Sequence, residues 1–492
     1  MTRTVSAGVF VFSMIALFIS AQTVTAQNPV PFLSQPLIPD AIAPGPPGLT
    51  FTLAITGTGF VPESRVNWNG TPRATTFLNS SHLIAFILSS DIAAPNTAWI
   101  TVVNPAPGGG TSNTLFLPIH NPSSSLSFDR TDYSVGGGPQ FVATADFNRD
   151  GKLDLVAANQ VSGSASILLG NGDGTFQSSH DYFSVGAQAP IVGDFNGDGK
   201  VDLAITYFDV AVLLGNGDGS FQPAATYPVG GFSTHGVTAD FNGDGKLDLA
   251  IATWNPSVAI LLGNGDGTFQ PHFDYPVGDW ATQIATGDFN RDGKLDLATS
   301  NWASNTVSVL LGNGDGTFRT RVDYPTGNNP GGIVVADLNG DGILDIAVCN
   351  QTAGTISVLV GNGDGTFRPH VDYPSPHPGK IEAADFNQDG KLDLVTAGGN
   401  GVDILLGNGD GSFQVPLTFQ SGGDAWNPLP ADFNGDGRLD IATGNRIYGT
   451  VSVFLQHSVA VSTGSSADSI FNDNYSGLPG GGSPIHVANL SE

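Results

Sequence analysis

Seven stretches of the chain repeat one arrangement of oxygen-bearing side chains, Asp-x-Asn-x-Asp-Gly-x-x-Asp. At positions 1, 3, 5, 7 and 9 the first three carry Asp146, Asn148, Asp150, Lys152 and Asp154, then Asp194, Asn196, Asp198, Lys200 and Asp202, then Asp240, Asn242, Asp244, Lys246 and Asp248. The fourth and fifth carry Asp288, Asn290, Asp292, Lys294 and Asp296, and Asp337, Asn339, Asp341, Ile343 and Asp345. The last two carry Asp385, Asn387, Asp389, Lys391 and Asp393, and Asp432, Asn434, Asp436, Arg438 and Asp440. Positions 1, 3 and 5 set three oxygen donors on one side of a tight turn, the glycine permits the bend, position 7 offers its carbonyl, and position 9 closes the cage. Hard oxygen donors without His or Cys select calcium over zinc or copper, and a flexible loop favours it over magnesium. Up to seven Ca2+ ions are expected. Acidic turns alone would be the other reading, but they do not call for four donor positions repeated seven times.

A helical EF-hand loop begins the same way but needs a glutamate at position 12. Those places hold Ala157, Ile205, Ile251, Thr299, Val348, Thr396 and Thr443, so each loop should join two strands. The loop starts are 48, 46, 48, 49, 48 and 47 residues apart. Each period holds an apolar run entering the loop, one leaving it, a third such as "SASILLG" and a fourth opening with "GTFQ". Four short strands with their turns fill such a period, and four-stranded units closed in a ring make a seven-bladed β-propeller. The "GNGDG" between strands three and four supplies positive-φ turn residues rather than a ligand site. After Val451 to Leu455 the last unit lacks its fourth strand, while residues 126–137, "LSFDRTDYSVGG", match fourth strands in phase. That N-terminal strand is expected to complete the last blade and close the ring.

The loops, each placed between strands and covering about residues 126–456, resemble the FG-GAP (VCBS-type) repeats of integrin α-subunit propellers and many exported bacterial proteins. The resemblance implies a seven-bladed propeller with calcium between the first two strands of a blade. Asparagine at position 3 departs from the acidic residue usual in integrins and lowers the loop charge. Residues 27–122 alternate in short runs and read as a small β-sandwich. There "LTFTLAITGTGFVPESRVNWNG" and "ITVVNPAPGGGTSN" resemble the IPT/TIG family of immunoglobulin-like domains, which implies a spacer or interaction module. The expected order is a signal segment (1–26), this sandwich, the propeller (123–457) and a Gly/Ser-rich disordered tail (458–492).

A net charge of −27, carried almost wholly by aspartate since Glu63, Glu382 and Glu492 are the only glutamates, excludes nucleic acid as a partner. The apolar run from Ala7 to Ala21 with Val24-Thr25-Ala26 after it reads as an export signal, and no segment is long enough to span a membrane. A secreted or cell-surface monomer is expected. Its lone cysteine, Cys349, lies in an apolar run and reads as core.

Residues that break the repeat phase are the candidates for ligand contact. Trp254 and Trp302 each lie six places after the last loop aspartate, and Phe208 holds that place in the second repeat. Trp280, Trp426, Phe232 and His235 fall in the connections between blades, and both kinds of connection emerge opposite the acidic loops. An aromatic cluster there could stack on sugar rings or anchor a protein; packing around the channel is the alternative use. An exported binding or adhesion module for an extracellular glycan or protein is therefore expected. A polysaccharide lyase-type enzyme is the competing class, because some calcium-bearing propellers resembling this one are lyases. His235 is the only non-repeating base near the aromatics and lacks an Arg or Tyr companion, so no catalytic residue is assigned. A purely structural surface protein is the third reading. His180, His272 and His370 recur in phase and read as structural.

Overall fold

The computed structural model describes residues 28–38, 50–94, 96–119, 126–183 and 186–457. The expected signal segment and tail lie outside the described residues, as does the boundary near residue 122. All regular structure among the described residues is β, and no helix there is long and apolar enough to cross a membrane.

The N-terminal part is two antiparallel sheets sharing one core. One sheet orders Phe32–Ile38, Phe51–Thr58, His82–Ile87 and Ala74–Asn79; the other centres on Asn96–Asn104, flanked by Arg65–Trp68 and Leu115–Ile119. Residues alternate inward and outward, as Val66 and Trp68 do against Arg65 and Asn67. Leu53, Ile55 and Leu83 of the first sheet meet Trp68, Ile100 and Leu117 of the second.

From Phe128 onward the chain is a β-propeller. The first repeat orders Pro139–Ala145, Asp154–Asn159, Ser164–Leu168 and His180–Phe183 antiparallel in chain order, and four further sheets copy it. In the last two repeats the sheets are continuous, because Leu417–Ala431 runs from the fourth strand of one into the first strand of the next. Phe128–Ser134 pairs along its length with Thr450–Gln456, from Phe128 opposite Gln456 to Ser134 opposite Thr450. Apolar clusters join neighbouring repeats: Val156 and Ala158 pack with Leu203 and Ile205, and Leu155 and Ala157 of the first repeat pack with Phe433, Ala442 and Val453 of the last. Second strands are sandwiched on both faces, so Asp248–Thr253 and its counterparts are buried at every residue.

The fourth strand does not open at "GTFQ". In the first repeat Phe176 makes one isolated bridge to Gly170, and the regular strand starts at His180. The phenylalanine leaves the ladder because its ring fills the gap between sheets, edge-on to Tyr133 and Phe433 at 5.4 and 5.6 Å. First strands are the inner edges of their sheets. An inner edge requires no ladder partner on its channel side, which is why Pro330, Pro428 and Pro430 are tolerated there.

Candidate functional site

The acidic loops sit at one end of the sheets. In the first, Asp146 accepts the backbone N–H groups of Asp150 and Gly151 at 3.1 and 2.9 Å, and Asn148 Oδ1 accepts Asp150 N–H at 2.9 Å. Asp154 is fully buried and clamps two segments: Oδ2 accepts Phe147 N–H at 2.9 Å and Oδ1 accepts Gly170 N–H at 2.8 Å. The same pair of bonds recurs at Asp202, Asp248, Asp296, Asp345, Asp393 and Asp440. Burial, reinforced by the nearby carboxylates of Asp146 and Asp150, pushes the Asp154 pKa up to about 7.

Position 7 does more than vary freely. Its side chain reaches the carboxylate at position 5 wherever it is basic, as Lys200 does to Asp198 at 2.9 Å and Arg438 to Asp436 at 2.9 Å; Ile343 has no such pair. The buried carboxylates at positions 1 and 9 have no cationic side chain of their own. Among the described residues no three Asp, Glu, His or Cys side chains converge as a ready-made cation cage. The donor set of each loop is all oxygen, a chemistry that a hard cation could use. In the last loop Thr97 of the sandwich donates its hydroxyl to Asp432 Oδ2, and Asn96 and Ile119 carbonyls lie against Gly437.

The aromatic residues gather at the opposite end. Trp254 and Trp280 stack at 5.8 Å and 20°, Trp280 and Trp302 at 5.2 Å and 16°. Phe232 continues the row onto Trp254 at 4.5 Å, and Phe208 meets Phe232 edge-on at 5.5 Å. Phe208, Trp254 and Trp280 remain about half exposed, at 59%, 48% and 48%. The row is held by backbone bonds from the turn after strand two to the preceding connection, Trp254 N–H to Phe232 O and Trp302 N–H to Trp280 O, both 2.9 Å. Trp280 has a φ of 56°, a conformation that a bulky residue adopts only when its surroundings enforce it.

Phe232 and the three tryptophans, but not Phe208, wall a cavity of about 370 Å³ over the central channel. Its floor carries three glutamines in a closed cycle: Gln140 donates to Gln160 at 2.5 Å, Gln160 to Gln188 at 2.9 Å, and Gln188 to Gln140 at 2.6 Å. Thr234, Thr282, Gln351 and Lys380 add polar groups, and among the described residues no carboxylate lines it. A second, larger cleft of about 690 Å³ lies between the sandwich and the loops of the first two repeats, between Trp99 and Asp146. Trp426 reaches the aromatic cavity from the strand Leu417–Ala431, not from a connection, and lies under the Arg446 guanidinium at 5.2 Å.

His235 also belongs to a strand, Ser233–Ala239, and packs on Phe141 at 5.3 Å. Its Nδ1 has no partner among the described residues, and burial, then the charge of Lys380, pushes its pKa down to about 3. It is too weak a base for the role considered for it. Cys349 is a fully buried core residue. Missed in the sequence were Gln140, Gln160, Gln188, Gln351, Lys380 and Arg446. Phase would have found three of them, because Gln160, Gln351 and Arg446 stand six places after a last loop aspartate, as Trp254 does.

A search among curated proteins finds no match. Among solved structures, the chain is similar to BBS1N in its complex with ARL6DN, at 13% identity and a TM-score of 0.50 over 67% of this chain and 96% of that one. That likeness concerns the fold. It is also similar to an Agrocybe aegerita lectin described as recognising non-reducing terminal N-acetylglucosamine (19% identity, TM-score 0.43, 78% of this chain and 100% of that one). A third is an auxiliary nutrient binding protein from Bacteroides ovatus (10%, 0.38, 87% and 98%). The model for the FG-GAP-like repeat matches residues 146–205, 194–251, 240–299, 297–348, 341–396 and 385–443, together more than half of the sequence. With its repeated acidic loops between paired strands, the chain belongs to the FG-GAP-like repeat family.

Proposed function

We propose that the protein is a calcium-stabilised, seven-bladed propeller behind an immunoglobulin-like domain of the IPT/TIG kind, acting outside the cell as a monomeric binding module for a carbohydrate. The observation that carries this reading is the row of Phe232, Trp254, Trp280 and Trp302, half exposed at Trp254 and Trp280, standing over a floor of amide and hydroxyl groups. Aromatic faces pair with the C–H faces of sugar rings, while amides and hydroxyls exchange hydrogen bonds with ring hydroxyls. A concave pocket favours a saccharide over a flat protein surface. Calcium binding would use Asp146, Asn148, Asp150, the Lys152 carbonyl and Asp154, and their equivalents, and would neutralise carboxylates that otherwise repel one another. Its contribution is to stability, remote from the ligand.

A glycan array probed with the intact protein, with calcium and with chelator, tests the reading. Saturable binding to a restricted set of saccharides without their cleavage is the expected result. Binding to no saccharide overturns it, and cleavage of the bound chain would make the protein an enzyme.

A further inference from the structure

Lys380 breaks phase with an ionisable group on the first strand of the sixth repeat, at the place five residues before the loop that His235 holds in the third, and it is buried at 4% exposure. Its Nζ donates to the Gly331 carbonyl at 2.7 Å and the Thr282 carbonyl at 3.4 Å. An ammonium has three N–H donors, so one remains beside the Phe141 ring, whose centroid lies 5.2 Å from Nζ. The neighbouring repeat makes room for it: a Cβ on Gly332 would come within 2.7 Å of the Lys380 Cα. No described carboxylate pairs with this amine. Arg446, the other charged group lining the cavity, is already paired with Asp424 at 2.9 Å and rests on the Trp426 ring.

A buried ammonium without a counter-ion is costly, and the cost is recovered when an anion arrives. The other ionisable groups around it do not supply one. His235 is held neutral by burial, Cys349 is a buried thiol pushed up toward its neutral form, and Glu382, two residues along the strand, is pushed up to about 8 by burial.

We propose that the cavity takes an acidic saccharide, with a sugar ring against the tryptophan row and its anionic group on Lys380 Nζ. This rests on the carbohydrate-binding reading above and adds the charge of the ligand. Acidic sugars carry their charge as a carboxylate or a sulfate ester, and both would meet the same amine.

The test is calorimetry on the full chain with three probes of equal length: an oligogalacturonate, its carboxyl-reduced neutral counterpart, and a sulfated neutral oligosaccharide. The oligogalacturonate or the sulfated probe should bind at least about tenfold more tightly than the neutral one, as a charge-assisted hydrogen bond allows. Lys380→Met should erase that preference, so that acidic and neutral probes bind the variant alike. In the unaltered protein the preference should weaken as pH rises from 6 to 9, since burial holds the Lys380 pKa at about 7; this arm stands if the variant does not fold. Equal binding of acidic and neutral probes overturns the charge assignment alone, and no binding of any probe overturns the carbohydrate reading with it.

Discussion

At the scale of single residues, the strand Lys380–Ala384 carries two ionisable groups whose titrations pull in opposite directions. Glu382 has its pKa raised from 4.5 to about 8 by burial. Its neutral form is the one the fold favours, so its contribution to stability is full below the ordinary carboxylate range and is lost as pH rises through about 8. Lys380 has its pKa lowered from 10.5 to about 7, so its contribution is full above the ordinary lysine range and is lost as pH falls through about 7. Glu382→Gln should remove the first effect only. The melting temperature of the variant should fall less between pH 6 and pH 9 than that of the parent, by a few degrees, when both are followed by thermal melts in matched buffers. Parallel curves would show that Glu382 does not titrate in that window. Neither residue was legible beforehand: a lone Lys and a lone Glu in an apolar strand carry no spacing, and only closing the ring brings Lys380 against Phe141 and near His235.

At the scale of elements, the unit that holds each repeat together is the ninth-position aspartate and the two segments it clamps. In the third repeat Asp248 ties the start of its loop, at Phe241, to the end of strand three, at Gly263, at 3.0 and 2.8 Å. Asp248→Ala leaves both buried N–H groups unsatisfied, which costs about 1–3 kcal/mol for each. A drop of about 2–5 kcal/mol in unfolding free energy, read from urea denaturation, is expected; a change below about 0.5 kcal/mol would show the clamp to be dispensable. The loops were legible because Asp, Asn and Gly recur with fixed spacing and each has a distinct local role. The inner strands were less so. His235 follows Ser-Thr and Trp426 precedes Asn-Pro, which read as connection, yet both lie in strands because an inner edge tolerates polar residues and proline. The "GTFQ" phenylalanines were read as strand for the converse reason, since apolar residues placed between sheets and residues placed in a ladder look alike in sequence.

At the scale of the whole molecule, the ring divides its labour between two ends. The acidic loops and the sandwich contact at Asp432 occupy one, and the tryptophan row and glutamine floor occupy the other. If calcium fills the loops, each site at a free concentration ten times its Kd adds about 1.4 kcal/mol. A chelator should then lower the melting temperature cooperatively, by ten degrees or more, and added calcium should restore it; a melt indifferent to both would leave the carboxylates as turn-formers only. The repeat period announced this architecture, since a spacing near 48 residues with four apolar runs has few other solutions. It could not announce the pocket, which is built from the places where the repeats differ. The central claim is that those places bind a saccharide. The most direct measurement is a saccharide titration followed by tryptophan fluorescence, comparing the parent with the combined Trp254→Ala, Trp280→Ala and Trp302→Ala variant alongside thermal melts of both. The account predicts a saturable spectral change in the parent and at least about a hundredfold weaker binding by calorimetry in the variant, with little change in its melt. Undiminished binding by a variant that melts like the parent would contradict it.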